Sequence, residues 1–399
     1  MRLFDPRLMH LLTFLTRRSG WLTPLEVSQT FNLDGRRVPP RTVHRWFSVL
    51  REKGGFVYYP YPKANLLGLQ DVLVRCRGLR NPKILGLLPF SASFSAEVEL
   101  GDGSSVVSQS YWVPGSALNE FLDFWKAAKE LGLVADFRLL KARNTHFIFS
   151  PFHEVITPDG KAHLMGPADN RYFELLIRRH LREEFEVNVG EMIAESPLVV
   201  PLVVEHIWEH FSSRQVWQVI RSREASFRGY AKGRFTRALR KPGSALRLLQ
   251  KQWRELMDRF DEVFLQPRVF FDWPSLTNSM FLNFILRAAS PDASLKLAIE
   301  ASRRSIVTAF KPGLDVEGEC HVSCFLPVDQ FLPVVRLVNQ YHKARAPPVI
   351  AVQDRPATIS LGQVSFCKLD WRLFDPSSLA WRFPGQERIE QLKSLPTDV

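Results

Sequence analysis

The chain has 399 residues, 45% of them hydrophobic, with 53 Lys and Arg against 41 Asp and Glu and a formal net charge of +12. That length exceeds one typical domain, and the positive balance favours an anionic partner such as nucleic acid or an anionic membrane surface. Four cysteines, Cys76, Cys320, Cys324 and Cys367, exclude a disulfide framework and fit a reducing compartment. Asp5, His10 and the Arg17-Arg18 pair break up any signal peptide, and no window approaches roughly 18 uninterrupted apolar residues. No membrane span is therefore expected, and the expected location is cytoplasmic.

Arg7–Arg18 predicts a first helix, with Leu8, Leu11, Leu12 and Leu15 as its apolar stripe and Gly20 as its stop. Thr23 and Pro24 read as N-cap and first residue of a short second helix. A turn rich in Asn32, Asp34 and Gly35 follows, carrying Arg36 and Arg37, and Pro39-Pro40 leads into a third helix. There Val43, Trp46, Phe47 and Leu50 share one face, while Arg41, His44, Arg45 and Arg51 project elsewhere. Gly54-Gly55 ends the helix and a strand runs on to Pro60. Helix, short helix, turn, basic helix and wing make a winged helix-turn-helix layout.

The pattern then changes. Gln70–Arg77 alternates, with Val72, Val74 and Cys76 on one face; Asn81-Pro82 opens a short helix ending near Leu88. Ser93–Leu100 alternates, with Phe94, Ala96, Val98 and Leu100 expected inward and Ser93, Ser95, Glu97 and Glu99 outward. Gly101-Asp102-Gly103 turns the chain into Ser105–Trp112. Ser116–Leu131 is an amphipathic helix and Val134–Leu140 a last strand, giving β-α-β-β-α-β, the ferredoxin-like split βαβ. Residues 143–161 yield no assignment beyond strands and turns.

Further helices are expected at Asn170–Glu184, Val199–Phe211, Arg214–Arg223 and Ser244–Phe260, and a strand at Val263–Phe271. The same βαββαβ order then returns through Phe281–Ala288, Asp292–Arg304, Ile306–Lys311, Glu319–Leu326, Asp329–His342 and Val349–Gln353. Leu248–Pro267 also echoes the earlier helix and strand, with Trp253, Met257 and Pro267 standing where Trp46, Leu50 and Pro60 stood. Phe331-Leu332 likewise echoes Phe121-Leu122. The expected class is α+β, duplicated in tandem: winged helix-turn-helix over 1–65, βαββαβ over 66–162, a divergent helical module over 163–275, a second βαββαβ over 276–380, and a polar, loosely held tail.

With both halves laid out, the chain resembles two fused copies of the Lrp/AsnC family of transcription regulators. Arg41–Pro62 followed by Leu67-Gly68-Leu69-Gln70 looks like the family's recognition helix, wing and crossing strand, and Gln252–Leu256 to Pro267 like the same join again. The resemblance implies DNA binding, pairing through the βαββαβ domains into homo-oligomers, and a small-molecule effector. The family places a Gly, and an Asp a few residues on, between the third strand and second helix of that domain. Gly115 matches in the first copy, where Asn119 stands near the Asp position; Asp329 matches in the second, with no preceding Gly.

Several other patterns compete for a role. His206–His210 spells H-x-x-E-H, a zinc-peptidase pattern, but Val203, Ile207 and Phe211 make a core stripe that leaves the histidines on a solvated side. Cys320 and Cys324 alternate with Val322 on an apolar strand face, which favours packing over a metal knuckle. Ser212–Lys251 is a one-sided basic run containing Arg228, Lys232, Arg234, Arg237, Arg240 and Lys241, with a lone Glu224. Such a run favours phosphate contact.

The resulting expectation is a regulator of transcription that binds double-stranded DNA, not an enzyme, with no cofactor and no metal. Its readers would be Arg36, Arg37, Arg41, Thr42, His44, Arg45 and Arg51, with the basic run holding phosphates and Gly115 and Asp329 near an effector. An enzyme on the same scaffold, of the siroheme decarboxylase type, and an architectural protein are the alternatives.

Overall fold

The computed structural model describes residues 3–18, 20, 22–54, 56–142, 144–162, 169–182, 200, 202–204, 242–270, 277–353, 373–375, 378 and 380–396. The fold is α+β. The first helices start as their caps dictate. Asp5 accepts from Arg7 N at the head of α1 (Pro6–Thr16). Thr23 and Glu26 form a reciprocal capping box on α2 (Pro24–Thr30). Asp34 and Gly35, both at positive φ, turn a two-residue hairpin between β1 (Asn32–Leu33) and β2 (Arg36–Arg37). Helix α3 (Pro40–Gly54) buries Val43, Trp46, Phe47 and Leu50 against Leu8, Leu11, Leu12 and Leu15 of α1 and Val27 of α2, within one continuous core.

The strand after α3 corrects an expectation. β3 (Val57–Pro62), expected as a wing, pairs with β9 (Phe264–Phe270), antiparallel, with Pro60 opposite Pro267. A strand of either half needs a partner for its backbone groups, and each half supplies the other's.

Among the described residues the main sheet has nine strands in the order β7-β4-β6-β5-β13-β10-β12-β11-β8. Its first quartet is β4 (Leu69–Arg77), β5 (Ser91–Glu99), β6 (Ser105–Pro114) and β7 (Asp136–Ala142). Its second is β10 (Ser279–Arg287), β11 (Val307–Pro312), β12 (Glu319–Pro327) and β13 (Val349–Gln353). Counted along the chain, both quartets run fourth, first, third, second across the sheet. The quartets are stitched where β13 pairs with β5, Ala351 opposite Glu99.

The sheet curls until its ends meet. β8 (His146–Phe149) continues the line of β7 and pairs with β11, Phe147 opposite Ala309. Ala142 bridges Gly313, and Leu314 N donates to Lys141 O at 2.9 Å. A Cβ on Gly313 would stand 2.9 Å from the Glu319 carbonyl oxygen, so only glycine fits this seam.

Helices cover the outer face. α4 (Leu118–Glu130) packs Phe121, Phe124 and Trp125 on Val72, Val74, Cys76 and Tyr111. α9 (Pro291–Ser302) and α10 (Phe331–Tyr341) cover the second quartet, where Leu282, Phe284, Cys320, Val322 and Cys324 are fully buried. Between them in the chain lie α5 (Phe152–Val155), α6 (Arg171–Arg182), α7 (Pro242–Asp258) and α8 (Phe260–Val263).

Three further expectations are corrected. The short helix expected from Asn81 to Leu88 is a five-residue 3-10 helix, Pro82–Gly86. The tail from Gly385 is not loose: after the short ladder of β14 (Phe374–Asp375) and β15 (Ala380–Trp381), helix α11 (Gly385–Lys393) lies on α4. It buries Leu392 beside Ile84, Leu85 and Leu88, and Asn81 Nδ2 donates to Pro396 O at 3.1 Å. So the end of the chain supplies the helix that the first quartet lacks. Finally, Glu97 and Glu99 do not face solvent; they are 1% and 6% exposed, because the second face of β5 looks into the curled sheet. Among the described residues no helix is long and apolar enough to cross a membrane.

Candidate functional site

Two places combine exposed or buried charge with defined geometry. The first is the edge of the helical module formed by the β1–β2 hairpin and the start of α3. The hairpin presents Arg36 and Arg37, and α3 presents Arg41, His44 and Arg45; all five are exposed. Thr42 is half-buried and Arg51 exposed at the far end of the helix. Among the described residues none of Arg36, Arg37, Arg41, His44 or Arg45 is held in an ion pair. The i, i+4 spacing sets Arg41 and Arg45 on one side of α3, opposite its buried stripe. The cause is local: a rigid three-helix core holds α3 by Trp46 and Phe47, so its polar side can only point outward.

The second place is the interior of the curled sheet, which sequence reasoning missed. Lys311 Nζ lies 2.7 Å from Asp71 Oδ1 and 2.9 Å from Ser110 Oγ, with both charged side chains buried. Thr145 Oγ1 donates to the other Asp71 oxygen at 2.5 Å. Arg75 lies 3.5 Å from Glu97 and 3.4 Å from Glu99, Asn283 bonds Glu97, and outside this interior, at an exposed position, Arg138 bonds Glu319. Burial pushes the Glu97 carboxyl up, opposed by Arg75. Burial, with Lys311 and Arg75 adding to it, holds His321 well below its ordinary value and therefore neutral. The Asp71–Lys311, Glu97–Asn283 and Arg138–Glu319 contacts each join one half of the chain to the other. The signal available in the sequence was the pairing of Asp71 and Arg75 on one face of a strand whose other face carries Val72, Val74 and Cys76.

The remaining expected residues separate. Gly115 is exposed in the 3-10 turn after β6, and Asp329 is exposed in the 3-10 turn after β12. They occupy equivalent places in the two quartets, but three strands lie between β6 and β12 in the sheet order, so the fold does not bring the two turns together. Arg228, Lys232, Arg234, Arg237, Arg240 and Lys241, and the His206–His210 pattern, lie outside the described residues. Cys320 and Cys324 are buried free thiols on the outer face of β12, and His321 lies on the opposite, inner face. Among the described residues no three metal-ligating side chains come together.

No protein-family profile matches the chain, and no curated protein matches it. Among solved structures it is similar to an anthrone oxidase-like protein, with 6% identity over 72% of this chain and 90% of that one and a TM-score of 0.30. A similarity at this level assigns neither fold nor activity.

Proposed function

We propose that the chain is a duplex-DNA-binding transcription regulator in which one polypeptide carries both halves of an Lrp/AsnC-type pair. The carrying observation is the cluster of Arg36, Arg37, Arg41, His44 and Arg45, exposed on the edge of a tri-helical module whose other side is fully packed. Guanidinium groups at the start of a helix suit phosphate oxygens and the O6 and N7 atoms of guanine. The shared strand order of the two quartets supports reading each as a ferredoxin-like unit, and the contacts across the curled sheet support reading them as an intramolecular pair. In this reading the turns of Gly115 and Asp329 are two separate places, each for a small effector of its own.

The test is a titration of the full chain against random-sequence duplex over a range of salt. Log affinity falls linearly with log salt, with a slope of roughly −0.9 for each phosphate engaged. Replacing Arg36 and Arg37 together by Ala flattens that slope. A full chain that binds no duplex at low salt overturns the reading.

A further inference from the structure

We infer that the chain reads DNA with a single head, so that its preferred site is one non-palindromic block although its scaffold has an internal two-fold. This rests on the DNA-binding reading above and asks what kind of duplex that site selects.

The two-fold is visible in the β3–β9 ladder. The strands are antiparallel and Pro60 faces Pro267, its counterpart in the repeat, so the relating axis passes through that pair. Helix α3 runs into β3 and, through α8, helix α7 leads into β9, with Trp46 and its counterpart Trp253 only 4% and 8% exposed. A two-fold pair of recognition helices ordinarily meets two inverted half-sites about one helical turn apart. Symmetry of the backbone alone would therefore call for a palindromic site.

The side chains break that symmetry. The counterparts of Arg41, His44 and Arg45 are Leu248, Lys251 and Gln252. Leu248 packs against the core and Gln252 is 6% exposed, so neither can reach a base edge. Lys251 is exposed, but its Nζ lies 3.6 Å from Glu255 on the same helix. The exposed side of α7 mixes signs, with Glu255 and Asp258 among Arg247, Lys251 and Arg254, whereas α3 presents no acid before Glu52. Carboxylates at those places repel a phosphate backbone. One helix is equipped to read and its mate is not.

The experiment selects duplexes from a random library with the full chain, recovering only complexes that hold one chain per duplex by sedimentation. The expected consensus is a single block with no inverted copy. Arg45→Ala lowers the preference for the selected duplex over random duplex about 10-fold, as loss of one bidentate guanine contact does. Lys251→Ala leaves that preference within roughly twofold. An inverted repeat in the one-chain fraction, or equal losses for the two variants, overturns the inference and leaves the DNA-binding reading standing. Recovery of no duplex at all overturns both.

Discussion

Pro60 and Pro267 stand directly opposite one another in the β3–β9 ladder. Neither has an N–H to donate, so they form a pair that exchanges no backbone hydrogen bonds, the closer of the two antiparallel spacings. Trp253 lies as far along the chain from Trp46 as Pro267 does from Pro60. The ladder thus joins the two halves at prolines equally far along the chain from these two tryptophans.

That relationship gives the first prediction. Opposed residues of this kind have Cα atoms about 4.5 Å apart, within the range of roughly 4.4–6.8 Å that a disulfide spans. Cysteines placed at both positions, Pro60→Cys with Pro267→Cys, should link within one chain on mild oxidation, as read by peptide mapping under non-reducing conditions. Cross-linked pairs of chains would instead show that β3 takes its partner from another molecule.

The second concerns the interior. Lys311 is the ion partner of Asp71, which is 1% exposed. Lys311→Met leaves that carboxylate buried without its counter-charge and should cost about 3–5 kcal/mol in urea unfolding. Adding Asp71→Leu should recover most of the loss, because the uncompensated charge is then gone. If the single variant is as stable as the parent, the pair does not hold the two halves together.

Acid should destabilise the protein through two buried imidazoles. His146 and His180 stack with ring centroids 5.8 Å apart. Burial, reinforced by nearby positive charge, brings their pKa values down to about 3 and about 2. In the unfolded chain each takes up a proton below its ordinary value of 6.5, while the folded chain does not until far lower pH. Their contribution is therefore full above pH 6.5 and is lost as pH falls, at up to about 1.4 kcal/mol per pH unit for each. His180→Leu should flatten the fall of urea-unfolding free energy between pH 6 and 4; a slope unchanged from the parent would mean that this histidine is protonated in the folded state.

The fourth prediction tests the docked tail. Leu392→Ala removes a side chain that is 1% exposed and should cost about 2–5 kcal/mol. Lys393→Ala breaks only an exposed pair with Glu390 and should change stability by less than about 1 kcal/mol. Thermal melts of both variants provide the comparison, and a Leu392→Ala chain that melts with the parent would detach α11 from the core.

The sequence by itself determined the elements whose causes are local. The stripe Leu8, Leu11, Leu12 and Leu15, the Thr23 cap, the buried side of α3 and the strand Val349–Gln353 all follow from spacing and capping within a few residues. The basic edge at Arg36–Arg45 was legible for the same reason: helical period alone sets it opposite the packed face. Tertiary structure decided what those elements meet. Alternation in Ser93–Leu100 distinguishes two faces of a strand, but whether the polar face looks at water depends on the sheet curling back to bring Lys311 to Asp71, residues far apart in the chain. The partner of β3 and the docking of α11 are likewise contacts between the halves. A period-2 or period-3.6 pattern reports only that one side differs from the other. The identity of the surface that covers each side is set by closure of the whole chain.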